Sequence, residues 1–197
     1  DRAIADLDKA IELNPDDASA YYRRGLAYYN QGQYAPAIAD FDKAIELDPG
    51  YARAYFNRGG SKANLNKPLE ALKDYNKAIE LDSLYEPAFN NRGNAYTSLG
   101  KYELAIKDYE SALKLNPQYG FSLLGCGNAY QALKNYPKAI EYYEKAVETD
   151  PGYAEALHNL GVAYYYSNQK DKACEKWNLS LSLNYTQSAN VVRDYCK

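Results

Sequence analysis

The chain repeats itself at a constant offset of 34 residues. AIELNPDDASAYYRRG runs from Ala10 to Gly25, and AIELDPGYARAYFNRG follows from Ala44 to Gly59. Further copies are AIELDSLYEPAFNNRG (Ala78–Gly93), ALKLNPQYGFSLLGCG (Ala112–Gly127) and AVETDPGYAEALHNLG (Ala146–Gly161), with a decayed sixth, SLSLNYTQSANVVRDY (Ser180–Tyr195). A period of this length restricts the fold sharply, because each copy is one small unit that buries its apolar face only by stacking on its neighbours. Pro15, Pro49, Pro117 and Pro151 mark one slot, shared by Ser83 and Tyr185. Gly25, Gly59, Gly93, Gly127 and Gly161 mark a second, and Ala37, Ala71, Ala105, Ala139 and Ala173 a third.

Within a period the apolar pattern is helical. Ala37, Ile38, Phe41, Ala44, Ile45 and Leu47 recur mostly at i, i+3 and i+4, which predicts one buried helix face. Ala20, Tyr21, Leu26, Ala27 and Tyr28 around Gly25 predict another helix. Between them, Gly32 can end the first helix and Pro36 can sit in the first turn of the next. The DPGY segment stops the second helix, since proline cannot continue it. Small residues at Gly25 and its equivalents are expected to let helix backbones approach closely. Aromatic slots fill the space around them: Tyr28, Tyr96, Tyr130 and Tyr164 on first helices, and Phe41, Tyr75, Tyr109, Tyr143 and Trp177 on second helices. Much of the high tyrosine count, 23 residues, is thereby structural.

Composition narrows the function classes. The chain has 197 residues, 46% hydrophobic and 25% charged, which suits a soluble globular protein. A net charge of −3 gives no electrostatic reason to expect nucleic acid or an anionic membrane as partner. No apolar stretch approaches the roughly 20 residues of a membrane span, and no basic-then-apolar leader opens the sequence. The chain begins at Asp1 and contains no Met, so a fragment or processed product is expected, with any upstream targeting signal outside it.

A 34-residue helix-turn-helix period with Gly, Tyr, Ala, aromatic, Ala and Pro in that order resembles the tetratricopeptide repeat family. The resemblance covers the whole chain. Residues 1–17 correspond to the second helix of an incomplete unit, with Ala3, Leu7, Ala10 and Pro15 in register. Full units fall at 18–51, 52–85, 86–119, 120–153 and 154–187, and 188–197 is expected to be a terminal capping helix. Lys62 departs from the pattern in a tyrosine slot, Ser83 in the proline slot and Ser180 in an alanine slot. The fold class implied is all-α, a right-handed superhelical solenoid of antiparallel helix pairs whose concave wall is lined by first helices. The corresponding lining is Tyr22, Arg23 and Tyr29, then Arg53, Phe56 and Asn57, then Asn90, Asn91 and Asn94. It continues with Phe121, Leu124, Asn128 and Gln131, then Glu155, His158, Asn159, Tyr165 and Tyr166. Amides and aromatics dominate that wall. An Asn side chain carries a donor and an acceptor and can pair with the backbone of an extended peptide, while aromatic groups form side-chain pockets. The bland alternative is that Asn57, Asn91 and Asn159 are simply solvated.

Some members of that family grip the acidic C-terminal tail of a chaperone with a two-carboxylate clamp of Lys, Asn and Arg. The matching slots here read Tyr22 and Leu26, Asn57, then Pro87 and Asn91; one period on they read Phe56 and Gly60, Asn91, then Phe121 and Gly125. Only the central Asn matches, so two-pronged cation recognition is missing and chaperone-tail binding is not expected.

Chemistry has little to work with. His158 is the only histidine and has no Cys or Ser at a motif spacing, so it reads as a groove or surface residue. Asp40, Asp42, Glu46, Asp74 and Glu80 beside Lys43, Lys73 and Lys77 read as a solvated face with helical ion pairs. No phosphate loop or metal cluster is present, and no cofactor is expected. Cys174 and Cys196 flank Tyr185 symmetrically, so they could face each other across a turn. Two readings stand: a disulfide, implying an oxidising compartment, or two buried thiols. Localisation is cytoplasmic by default, secreted or periplasmic if that bridge forms. Cys126 reads as packing; the sequons at Asn178 and Asn184 matter only in a eukaryotic secretory route. The function expected is a non-enzymatic protein-interaction scaffold that holds a peptide-like segment in its groove. The alternative is self-assembly through the solenoid ends, motivated by the apolar edge Ile4, Leu7 and Ile11 of the half unit.

Overall fold

The computed structural model describes residues 2–196, which fold into helices and turns without a strand among them. Two compact units divide the chain, residues 1–99 and 100–197. The first holds α1 (Arg2–Leu13), α2 (Ala18–Asn30), α3 (Tyr34–Leu47), α4 (Ala52–Asn64), α5 (Pro68–Leu81) and α6 (Glu86–Ser98). The second holds α7 (Tyr102–Leu115), α8 (Gly120–Ala132), α9 (Tyr136–Thr149), α10 (Ala154–Tyr166), α11 (Lys170–Ser182) and α12 (Ser188–Tyr195). Inside each unit every helix packs on the one before it. None of the described helices is long and apolar enough to cross a membrane.

Turn chemistry explains why the helices stop where they do. Gly32, Asn66, Gly100, Lys134 and Asn168, spaced by the 34-residue period, all adopt left-handed backbone with φ between 58° and 72°. The residue after it then reaches back: the Gln33, Lys67, Asn135 and Gln169 amides each donate at 2.9 Å to the carbonyls of Tyr28, Lys62, Tyr130 and Tyr164. That closes the helix end by the bond that follows a left-handed C-terminal residue. The other turn is built by a carboxylate or amide side chain. Asp48, Asp82, Asn116 and Asp150 accept from the backbone N–H two residues on, at 2.9, 3.0, 3.3 and 2.9 Å.

The core is made by the second-helix aromatics. Phe41, Tyr75, Tyr109, Tyr143 and Trp177 are each at most 2% exposed; Tyr143 and Trp177 share a cluster with Ala139, Ala146 and Ala173, and Tyr75 packs with Ala71 and Ala95. The glycine slot has a different purpose from the one expected. A Cβ on Gly25 would stand 2.7 Å from the Phe41 ring, one on Gly59 2.9 Å from Tyr75, and one on Gly161 2.5 Å from Trp177. These glycines make room for a ring from the following helix, not for a second backbone.

The acidic residues also correct the sequence reading. Asp40 and Asp74 are buried, at 5% and 3% exposure, rather than solvated. Arg24 of α2 forks onto Asp40 of α3 at 2.7 and 2.8 Å and onto Asp8 of α1 at 2.8 Å. One period later Arg58 donates to Asp74 at 2.5 and 3.1 Å and to Asp42 at 2.6 Å. Lys62, the residue in the tyrosine slot, adds a 2.8 Å bond to Asp74. Hydrogen bonding to Asp40 is the main cause holding the Arg24 pKa up. Each arginine thus ties three helices through bidentate, charge-assisted bonds. In the second unit Cys126 and Leu160 occupy the arginine slot. Burial pushes the Cys126 thiol up, and nearby the Tyr142 hydroxyl donates to Glu110 at 2.9 Å.

Candidate functional site

In the first unit, α2, α4 and α6 present one polar, uncharged pocket of about 180 Å³. Tyr29 from α2, Asn64 from α4, and Asn91, Asn94 and Ser98 from α6 line it, with Tyr75 of α5 as its floor. Gly60 keeps it open: the nearest atom to a Cβ there would be the Tyr29 hydroxyl oxygen at 3.5 Å. The lining is cross-linked internally. Asn64 Nδ2 donates to the Tyr29 hydroxyl at 3.2 Å, and Asn57 Nδ2 to the Tyr22 hydroxyl at 3.1 Å. Asn90 Nδ2 donates to Asn91 Oδ1 at 3.1 Å, and Asn91 is hydrogen-bonded to the Tyr75 hydroxyl. Burial, helped by Tyr29, pushes the Tyr75 phenol well above its ordinary value, so it stays protonated and polar.

The groove residues read from the sequence in this unit do not stay together. Tyr29, Asn91 and Asn94 meet at this pocket, and Arg23 and Arg53 are exposed. Tyr22 and Phe56 are half-buried by packing on Tyr51 and Tyr85, with ring centroids 4.7 and 4.9 Å apart. Burial, first, pushes the Tyr85 phenol up to about 12. Asn57 already spends its amide N–H groups on Tyr22 and on the Arg53 carbonyl. Asn90 is a correction: at 4% exposure it is packed inside, not on a wall. Asn64, Ser98 and Tyr75 were missed. Asn64 was within reach, being two helical turns beyond Asn57 on the same face; the Tyr75 hydroxyl needed the packing.

In the second unit the amides bond to one another and to a buried phenol. Asn128 Oδ1 accepts from the Tyr143 hydroxyl at 2.7 Å and from Asn159 Nδ2 at 2.9 Å, with Gln131 3.5 Å from the same hydroxyl. His158 and Tyr165 are corrections, since α12 packs over both. His158 Nδ1 lies 2.8 Å from Ser188 Oγ, which donates to Ser180 Oγ at 3.0 Å, which donates to the Ala154 carbonyl at 2.7 Å. A carbonyl only accepts, so this direction makes Nδ1–H the donor to Ser188. Burial lowers the His158 pKa. The Tyr165 ring packs against Tyr195 and Trp177 at 4.9 and 5.8 Å between centroids. Cys174 and Cys196 are bonded as a disulfide that fastens α12 to α11. No cluster of metal-ligating side chains occurs among the described residues.

Models of the tetratricopeptide repeat match residues 18–51, 87–119 and 121–153. Further models of the same repeat match 1–32, 52–83 and 142–175. The chain belongs to the tetratricopeptide repeat (TPR) family. Its all-α helix-pair fold is that of TPR solenoid proteins. Among solved structures it is similar to YrrB, described as a TPR protein with an unusual peptide-binding site: 25% identity, TM-score 0.76, covering 95% of this chain and 97% of that one. It is similar also to MamA of Desulfovibrio magneticus RS-1, at 20% identity and TM-score 0.78, over 86% of this chain and 96% of that one. PilF of Pseudomonas aeruginosa matches at 24% identity and TM-score 0.77, over 90% and 85% of the two chains. No curated protein sequence matches significantly. TPR membership supports a protein-interaction scaffold, and TPR proteins are generally non-enzymatic.

Proposed function

We propose that the pocket between α2, α4 and α6 holds an extended, uncharged stretch of a partner protein, and that the chain acts by binding rather than by catalysis. The observation that carries this reading is the convergence of Asn64, Asn91, Asn94 and Ser98 beside the Tyr29 ring, with Gly60 leaving space. Asn64 is held by donating to the Tyr29 hydroxyl and to the Gly60 carbonyl at 2.9 Å, and it offers its amide oxygen, a two-lone-pair acceptor, to a peptide N–H without having to be ordered first. Asn57, bonded in the same way to Tyr22 and to the Arg53 carbonyl, lies outside the pocket lining. The peptide-binding site of YrrB, a chain of matching length, supports the same use of this fold. Without a pair of cations to face it, an acidic chaperone tail gains little here.

A displayed random-peptide library panned against the whole chain tests the idea. Peptides enriched by the native protein should lose about tenfold in affinity on the double change Asn64→Ala and Asn94→Ala, from two lost hydrogen bonds of about 0.5–1.5 kcal/mol each. Undiminished binding by the double variant would sink the proposal. Self-association is a second reading, favoured by α1: Ile4, Leu7 and Ile11 are only half-buried, and Leu13 is 88% exposed. A molar mass from light scattering that rises with concentration, and falls to the monomer on Leu7→Ser with Ile11→Ser, is the outcome it requires.

A further inference from the structure

In the second unit a different pocket, of about 340 Å³, opens where α8 begins and α9 ends. Tyr119, Phe121 and Tyr153 wall it, and Asp150 stands among the lining residues. We propose that it receives the side chain of an arginine from a partner protein. Two departures from the repeat coincide here. Gly120 occupies a slot that holds Ala18, Ala52, Glu86 and Ala154 elsewhere, and Phe121 one that holds Ser19, Arg53, Pro87 and Glu155. The glycine opens the floor, since a Cβ there would come within 3.7 Å of the Tyr153 ring. Phe121 is 66% exposed, a large ring left toward solvent at a helix start. It meets Tyr119 edge-on, with centroids 5.7 Å apart and planes at 70°, so the two rings form adjoining walls.

Aromatic walls alone would suit any apolar group. The charge decides the class. Asp150 Oδ1 accepts from the Gly152 N–H at 2.9 Å, its second oxygen is left for another donor, and no cation among the described residues pairs with it. Burial first, then Glu155 and Asp150, push the Tyr153 phenol up, so the surroundings are negative. The end of α9 favours a cation and the start of α8 opposes one, which leaves the rings and the carboxylate to settle the sign. A guanidinium can lie flat on a ring face while its N–H fork engages the carboxylate; a compact ammonium cannot satisfy both.

The test is a nuclear magnetic resonance titration of the full chain with N-acetyl-arginine methylamide, against the neutral, nearly isosteric citrulline derivative. Saturable shifts at the amides of Gly120, Phe121, Thr149, Asp150 and Tyr153, with citrulline binding at least about fivefold more weakly, are expected. Asp150→Asn keeps the turn, as Asn116 does in its own repeat, and Phe121→Ser installs the residue found at Ser19, so both variants should retain native spectra. Each should weaken arginine binding by at least about fivefold. Shifts that do not saturate, equal binding of citrulline, or unchanged affinity in Asp150→Asn would overturn the assignment. The pocket lies in a different unit from the amide pocket, so failure of either proposal leaves the other standing.

Discussion

Gly127 and Gly60 occupy the same kind of helix interior and predict opposite outcomes. A methyl group on Gly127 would overlap the Tyr143 ring, whereas one on Gly60 would stand 3.5 Å from the nearest atom. Gly127→Ala should therefore destabilise by about 1–3 kcal/mol through overpacking, despite its better helix propensity. Gly60→Ala should stabilise by about 0.5–1 kcal/mol while narrowing the amide pocket. Urea unfolding of both variants checks the pair. At His158, burial lowers the folded pKa, so the unfolded chain binds the proton more readily. Stability from this residue is present above the ordinary histidine value of about 6.5 and lost as pH falls through it. His158→Asn keeps an N–H toward Ser188, and its unfolding curves should depend less on pH between about 7 and 5. The periodic glycines were plain in the sequence; their ring partners were not, because the fit depends on where the next helix rests.

Between elements, the decisive contacts join residues 16 apart: Arg24 to Asp40 and Arg58 to Asp74. In sequence each acid sits near a lysine at helical spacing, as Asp74 does beside Lys73 and Lys77, which disguises it as part of a solvated face. Burial decides otherwise. It works against the Arg58 charge, and the bonds Arg58 donates to Asp74 and Asp42 outweigh it and hold the pKa up. Asp74→Ala leaves Lys62 without its partner and Arg58 with only the exposed Asp42, and should destabilise by about 3–5 kcal/mol, read by urea unfolding. Lys77→Ala breaks only the exposed 2.7 Å pair with Glu80 and should leave the unfolding midpoint unchanged. Helices and turns themselves were legible from period and punctuation. The disulfide was legible as geometry but stood beside a second reading. Its test is local: reduction should accelerate hydrogen exchange across α12 while the amides of α8 and α9 stay protected.

For the whole chain, the helix-pair architecture was legible because a period of 34 residues leaves no other economical way to bury the apolar slots. The candidate site was half legible. Helix spacing put Tyr29, Asn91 and Asn94 on first helices, but which amides face outward and which serve their neighbours depends on inter-repeat hydrogen bonds such as Asn64 to Tyr29. Exposed aromatics such as Phe121 looked like one more groove residue until Gly120 beside it proved to open a separate pocket. At each tight turn the same left-handed residue gives the backbone one shape, whatever flanks it. The joint is therefore interchangeable. A duplicated period spliced in there brings its own matching ends, and no neighbour has to be refitted. Length becomes a heritable variable that changes in whole links, and the first-helix slots of every added link arrive already in phase.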